Sequence, residues 1–87
     1  MNPNSPHPVR ILLVDDHAIV RRGLRVYLES FPDLTIAGEA ASAEEALRIL
    51  PDCRPDVVVL DLLLPGGMDG IEATRRICTT PNPPRVI

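Results

Sequence analysis

Four consecutive aliphatic residues, Val57–Leu60, constrain the possible folds more than any other feature of the sequence. A strand with one face in water alternates apolar and polar residues, whereas this run is apolar at every position. Strands of that kind lie in the centre of a parallel sheet that helices cover on both faces. The run therefore predicts an α/β fold in which it forms a central strand.

Patterns of strand length and of helix length alternate along the rest of the chain. Strands are predicted at 9–15, 34–40, 57–60 and from 85 onward, and helices at 16–31, 42–50 and from 69 onward. The first helix carries apolar residues at helical spacing: Val20, Leu24, Tyr27, Leu28 and Phe31. Ser42 and Glu45 form a capping box where the second helix begins. This alternation predicts a doubly wound parallel sheet with right-handed crossovers.

Length and composition are typical of one small globular domain, since the chain has 87 residues, of which 45% are hydrophobic and 24% are charged. No apolar run approaches the ~18 residues of a membrane-spanning helix. The N-terminal segment also lacks an apolar signal core, so we expect a cytoplasmic protein with no membrane partner. Residues 1–8 include three prolines and are predicted to form a disordered tail.

Charge and cysteine content exclude two further classes of site. The net charge is −3, with nine arginines and no lysine, which argues against a nucleic-acid-binding surface within these residues. Cys53 and Cys78 lie far apart in the sequence and have no histidine or cysteine partner at metal-binding spacing. We therefore expect both cysteines to be reduced thiols rather than metal ligands.

Three aspartates directly follow predicted strands: Asp15 and Asp16 after the first, and Asp61 after the third. If these strands are neighbours, the carboxylates converge at the edge of the sheet where doubly wound folds bind ligands. A proton or a hard cation such as Mg²⁺ would relieve the repulsion between them. The alternative is that each aspartate merely caps the helix that follows it. Three acids at two neighbouring strand ends favour the metal site.

Several segments together resemble the receiver domain of two-component response regulators. They read Ile-Leu-Leu-Val-Asp-Asp-His at 11–17, Val-Val-Leu-Asp at 58–61 and Pro-Gly-Gly-Met-Asp-Gly at 65–70. The segment from Asp15 to Leu24 and the Gly-Glu-Ala at 38–40 are similar to the NarL/FixJ subfamily. The resemblance covers residues 9–87, which would form a partial receiver domain. It implies a flavodoxin-like sheet of order 2-1-3-4-5, with the C-terminal third of that domain absent from this chain.

The resemblance also implies a role for each acidic residue. Asp61 would be the phosphoacceptor, taking a phosphoryl group in the presence of Mg²⁺. Asp16 would bind the ion directly, Asp15 would bind it largely through water, and the backbone carbonyl of Leu63 would complete the protein ligands. The loop after Asp61 departs from the commonest family pattern, because it reads one glycine longer. The switch Ser or Thr and the phosphate-pairing Lys of the family would lie beyond Ile87.

The resemblance further implies a signalling partner and a regulatory output. The phosphoryl donor would be a sensor histidine kinase, and the domain itself would not be an enzyme. DNA would be bound by a C-terminal helix-turn-helix that these 87 residues do not contain. A fourth strand at Val86 and Ile87 would have no partner on one side, and such an edge favours pairing with another chain. A homodimer is therefore expected.

Two other functions remain as alternatives. Phosphohydrolases of the haloacid dehalogenase type also use Mg²⁺ and an aspartate nucleophile, but they carry Asp-x-Asp after the first strand, whereas Asp15 and Asp16 are adjacent. The chain could also be chemically inert and act as an association module.

Polar residues of the first helix and its entry have two interpretations each. His17 is interpreted as a polar residue of the first turn rather than a metal ligand or a participant in phosphotransfer, because Mg²⁺ prefers oxygen. Three arginines could form a basic patch for a partner, but a solvated helix face with Arg25 and Glu29 paired is the simpler hypothesis. These arginines are Arg21, Arg22 and Arg25.

Overall fold

The computed structural model describes residues 7–61 and 68–87. The strands are β1 (Val9–Val14), β2 (Leu34–Ala40), β3 (Val57–Leu60) and β4 (Arg85–Val86), and the helices are α1 (Ala18–Glu29), α2 (Ala43–Cys53) and α3 (Gly70–Cys78). The predicted alternation of strands and helices is thus confirmed. The predicted tail lies outside the described residues over positions 1–6 and stays a prediction.

All strand pairs are parallel, and the order across the sheet is β2-β1-β3-β4. This order confirms the first four positions of the predicted flavodoxin-like arrangement. Val14 is in register with Ala40 on one side and with Leu60 on the other. The last residues of β1, β2 and β3 therefore lie side by side, which places the residues that follow them at one edge of the sheet.

The two faces of β3 are buried to different extents. Val58 and Leu60 are buried in a core with residues of α2 and α3. Val57 and Val59 are only half-buried, because α1 packs over β1 and β2 rather than over β3. The prediction that β3 is central in the sheet is right, but within the described residues its second face lacks the expected cover.

Helix α1 packs fewer of its apolar side chains against the sheet than its sequence pattern predicts. Leu24 and Leu28 pack against the face of the sheet that carries Ile11 and Leu13. Val20 and Tyr27 are exposed, although they follow the same helical spacing. Phe31 is exposed as well and lies outside the helix, which ends at Glu29 and not at the predicted residue 31. The Tyr27 and Phe31 rings contact each other edge to face, with their centroids 5.3 Å apart.

Helix α2 begins as predicted. The backbone N–H of Glu45 donates to Ser42 Oγ over 3.1 Å, and the Glu45 carboxylate accepts from the N–H of Ala41 over 2.7 Å. The predicted end at Leu50 is wrong, because the helix continues through Pro51 to Cys53.

A long-range contact supports the extra residues of α2. Proline costs a helix one backbone hydrogen bond, but the Arg10 guanidinium of β1 donates to the carbonyls of Cys53 and Arg54 over 2.7 and 3.3 Å. Arg54 ends the helix in the left-handed conformation, with φ of 48°. The chain therefore gains a final turn that local sequence rules do not predict.

Both cysteines are free thiols, Cys53 buried and Cys78 exposed. Among the described helices, none combines the length and the apolar character needed to cross a lipid bilayer.

Candidate functional site

The carboxyl ends of β1 and β3 bring the predicted acidic residues to one place. The backbone N–H of Asp61 donates to the carbonyl of Val14 over 3.0 Å, and the N–H of Asp15 donates to the carbonyl of Ala40 over 3.1 Å. These bonds extend the parallel ladder by one residue past each strand. Asp15 and Asp61 are therefore fixed level with each other by the sheet itself.

The side chains of Asp15, Asp16 and Asp61, named here the acidic cluster, lie close enough to share one ligand. Each offers an oxygen, His17 adds a ring nitrogen, and these four atoms all lie within 4.8 Å of one another. Carboxylates this close repel when all are ionised. The arrangement can therefore hold a hard divalent cation, which takes oxygen ligands and offsets their charge.

His17 contacts both neighbouring aspartates. Its ring Nδ1 lies 2.9 Å from Asp15 Oδ1 and 3.1 Å from Asp16 Oδ1, and its backbone N–H donates to Asp15 Oδ1 over 2.8 Å. His17 is the N-cap residue of α1, but its side chain makes no capping hydrogen bond. His17 thus lies directly before the first turn of α1 and contacts both acids, and the interpretation of its role stays a prediction.

These contacts shift the pKa values of two residues. The hydrogen bond to Asp15, together with the charge of Asp16, raises the pKa of His17 above its ordinary value. Burial raises the pKa of Asp15, but the hydrogen bonds from the backbone and ring of His17 and the charges of His17 and Arg21 outweigh it, so the pKa of Asp15 is lowered. A protonated His17 thus offsets part of the repulsion in the acidic cluster.

Asp16 carries the observation that distinguishes a metal site from simple helix capping. Its Oδ1 is buried, and no group in residues 7–61 and 68–87 donates a hydrogen bond to it. The nearby His17 Nδ1 is hydrogen-bonded to Asp15 instead. A buried oxygen without a donor costs about 1–3 kcal/mol, so a cation at this position would stabilise it. The acidic cluster therefore fits Mg²⁺.

Arg21 and Glu39 are two neighbours of the acidic cluster that the sequence interpretation missed. Arg21 Nη1 donates to the backbone carbonyl of Asp15 over 2.6 Å, and its Nε donates to Glu39 Oε1 over 3.1 Å. Arg25 binds the other Glu39 oxygen as well as Glu29, the latter over 3.2 Å. The hypothesis of a solvated face is thus wrong for Arg21, whose side chain is 20% exposed. It holds for Arg22.

A sequence signal for this contact exists. Glu39 is the penultimate residue of β2, and the carboxyl end of β2 lies beside that of β1 in the predicted strand order. An acid at that position is near the start of α1, where Arg21 occupies the first turn. The pair could therefore have been predicted from the strand order, although not from the spacing of charges along the helix.

The acidity of Glu39 gives a testable stability effect. Burial raises the pKa of Glu39, but the hydrogen bonds from Arg25 and Arg21 outweigh it and hold the pKa below its ordinary value. A carboxyl group whose pKa is lower in the folded state than in the unfolded state stabilises the folded state at pH values above the unfolded-state pKa. The contribution is lost as the pH falls through the folded pKa.

Glu39→Gln is therefore expected to lower the free energy of unfolding by about 1 kcal/mol at pH 7. The difference from the wild type should shrink at acid pH, because the carboxyl of Glu39 becomes protonated as the pH falls through its lowered pKa. Urea denaturation at a series of pH values measures both effects. Glu44→Gln removes the same charge from an exposed site on α2 and is the matched control. A Glu39→Gln effect that equals the control at every pH would contradict the pairing.

Leu63, which is predicted to supply a backbone carbonyl, lies outside the described residues, as does the loop with the additional glycine. Both stay predictions.

Comparison with known proteins defines the class. The family model described as response regulator receiver domain matches residues 11–87, so the chain belongs to that family. The chain is 46% identical over 79 residues to the transcriptional regulatory protein LiaR of Bacillus subtilis (strain 168), an alignment that covers 91% of this chain and 37% of LiaR.

Two solved structures share the fold. A two-component response regulator of the LuxR family from Aurantimonas sp. SI85-9A1 matches with a TM-score of 0.83 and 48% identity, over 91% of this chain and 56% of that one. The receiver domain of the putative response regulator NarL from Mycobacterium tuberculosis matches with a TM-score of 0.84 and 33% identity, over 93% of this chain and 64% of that one. The predicted NarL/FixJ resemblance is confirmed. This chain spans about a third of LiaR and less than two thirds of each structure.

Proposed function

We propose that this receiver domain accepts a phosphoryl group on Asp61 while Asp15 and Asp16 hold Mg²⁺. The observation that carries the proposal is the convergence of three carboxylates within 4.8 Å, together with His17. The buried Asp16 Oδ1, for which the described residues supply no hydrogen-bond donor, supports it independently. Simple helix capping would account for neither feature.

Each residue of the acidic cluster has a distinct role in the proposal. Asp16 binds the ion directly, Asp15 binds it largely through water, and the carbonyl of Leu63 completes the protein ligands. An oxygen of Asp61 attacks phosphorus in line, and the bond between phosphorus and the donor's histidine nitrogen breaks. When bound, Mg²⁺ offsets the negative charge on the phosphoryl oxygens.

The partners and the location of the whole protein are part of the proposal. A sensor histidine kinase supplies the phosphoryl group in the cytoplasm. The name of LiaR describes a transcriptional regulatory protein, and by analogy a helix-turn-helix outside these 87 residues binds DNA. The domain acts as a signalling module and not as an enzyme in its own right.

The mass of the intact protein after incubation with a small-molecule phosphodonor and Mg²⁺ tests the proposal. A stable gain of one phosphoryl group is the expected result, and omission of Mg²⁺ should prevent it. Continuous release of phosphate without a mass gain would instead support a phosphohydrolase of the haloacid dehalogenase type. A folded protein whose mass does not change would support an inert association module.

A further inference from the structure

The guanidinium group of Arg21 joins the backbone of the acidic cluster to a carboxylate on the neighbouring strand. It donates to the Asp15 carbonyl over 2.6 Å and to Glu39 Oε1 over 3.1 Å. The side chains of Arg21 and Glu39 are 20% and 26% exposed. Hydrogen bonds from a charged donor are strong, and partial shielding from water strengthens them further.

The carbonyl that Arg21 binds belongs to the peptide group between Asp15 and Asp16. The orientation of that peptide group determines where the Asp16 side chain starts. The described residues supply no hydrogen bond to the buried Oδ1 of Asp16, although the ring Nδ1 of His17 lies 3.1 Å from it. The backbone that Arg21 holds therefore contributes to the position of this oxygen in the acidic cluster.

Glu39 anchors Arg21 to the sheet. It lies in β2, in register with Leu13 of β1, and its second carboxylate oxygen accepts a hydrogen bond from Arg25. One carboxylate thus holds two arginines of α1 against β2. The anchor is rigid because the parallel ladder fixes the Glu39 backbone.

We propose that Arg21, held by Glu39, is a positioning residue that orients the Asp15–Asp16 peptide group and so prepares the acidic cluster for Mg²⁺. This inference rests on the proposed metal-dependent function. A second effect of Arg21 has the opposite sign, because its positive charge repels a cation bound nearby. Substitutions that change the geometry and the charge separately can therefore distinguish positioning from electrostatics.

Arg21→Lys keeps the charge but cannot reproduce the planar fork that donates to two separate acceptors. We expect it to weaken Mg²⁺ binding by about tenfold, as is typical when a residue that supports metal ligands is changed. Arg21→Gln should also weaken binding, although it removes a repelling charge. Mg²⁺ titration of the 87-residue chain, followed by the amide chemical shifts of uniformly ¹⁵N-labelled protein, measures both affinities.

Arg22 provides the matched control, since it is the exposed neighbour of Arg21 on the same helix. Arg22→Lys and Arg22→Gln should leave the Mg²⁺ affinity within about twofold of wild type. Every titration is made well below the thermal unfolding transition of the least stable variant, so that loss of folded protein does not imitate weak binding. Glu39→Gln is a second variant, and combining it with Arg21→Lys should add little further loss, because both act through one contact.

Two outcomes would overturn the inference: wild-type affinity in Arg21→Lys, or tighter binding in Arg21→Gln, which would show a purely electrostatic effect.

The metal-free protein provides a separate readout. The amide signals of Asp16 and His17 should shift in Arg21→Lys and stay in place in Arg22→Lys. If the wild type binds no Mg²⁺, the proposed function fails. The amide signals of Asp16 and His17 in the metal-free protein then test the positioning role of Arg21 without Mg²⁺, and unchanged signals in Arg21→Lys would refute it.

Discussion

Asp16→Asn is expected to weaken Mg²⁺ binding by at least about tenfold, which is the smallest effect typical of changes around a metal site. The substitution preserves the size of the side chain but replaces a charged oxygen ligand by a neutral amide. Asp16 is the acid that we propose to bind the ion directly. Its buried Oδ1 has no hydrogen-bond donor among the described residues. Titration calorimetry with MgCl₂ measures the change.

Two further variants test whether the change in Mg²⁺ affinity is specific to the acidic cluster. Asp61→Asn should also weaken Mg²⁺ binding, since it removes a second charge from the acidic cluster. Asp69→Asn is the control, because Asp69 caps α3 by accepting a hydrogen bond from the N–H of Glu72 over 2.9 Å, and asparagine caps helices equally well. Equal Mg²⁺ affinities in the wild type and in Asp16→Asn would contradict the proposed metal site.

The isolated 87-residue chain is expected to associate into dimers or larger species. Within the described part of the chain, β4 is the last strand on its side of the sheet. The N–H of Arg85 donates to the carbonyl of Asp56, directly before β3, and the N–H of Ile87 donates to the carbonyl of Val58 in β3. Because successive residues of a parallel strand direct their backbone polar groups to opposite sides, those of Val86 face the open edge. Unpaired strand edges of this kind are templates for pairing with another chain.

Among residues 7–61 and 68–87, partly exposed apolar surface on the same sheet adds to this tendency. Val57 and Val59 are half-buried, and a cavity of about 350 Å³ opens beside Val59. It is lined by Leu13, Val14, Asp15, Leu24, Val59, Leu60 and Asp61. Exposed apolar patches favour association, so the edge and the open face act in the same direction.

Multi-angle light scattering on Ile87→Lys tests the role of the edge. The Ile87 side chain is 77% exposed while its backbone pairs with β3, so lysine should block edge pairing and shift the chain towards monomer. Ile71→Lys is the control, because Ile71 is similarly exposed, at 71%, but lies on helix α3 and not on a strand. A wild-type chain that is a monodisperse monomer with cooperative unfolding would show that the open edge has little effect.

The sheet and the acidic cluster could be predicted because each depends on a local pattern. The apolar run Val57–Leu60 indicates a central strand, and the alternation of strands and helices indicates parallel pairing. Once β1 and β3 are neighbours, Asp15 and Asp61 must lie at the same edge of the sheet. The convergence therefore follows from strand order and needs no knowledge of side-chain packing.

The features that the sequence did not predict depend on contacts between distant residues. Helix α2 continues through Pro51 to Cys53, where Arg10, 43 residues earlier in the chain, donates to the carbonyl of Cys53. Arg21 is held by Glu39, which lies 18 residues further along the chain. The exposure of Val20 and Tyr27 depends on where α1 lies over the sheet, which helical spacing alone does not determine. Tertiary contacts override local propensity in each case.

The location of the phosphoryl group shows directly which aspartate is the phosphoacceptor. The 87-residue chain is incubated with a small-molecule phosphodonor and Mg²⁺, and the modified residue is identified by mass spectrometry of its proteolytic fragments. We expect one phosphoryl group on Asp61, no modification in Asp61→Asn, and normal modification in the Asp69→Asn control. A phosphoryl group on Asp15 or Asp16, or unchanged modification of Asp61→Asn, would contradict the assignment of Asp61 as the phosphoacceptor.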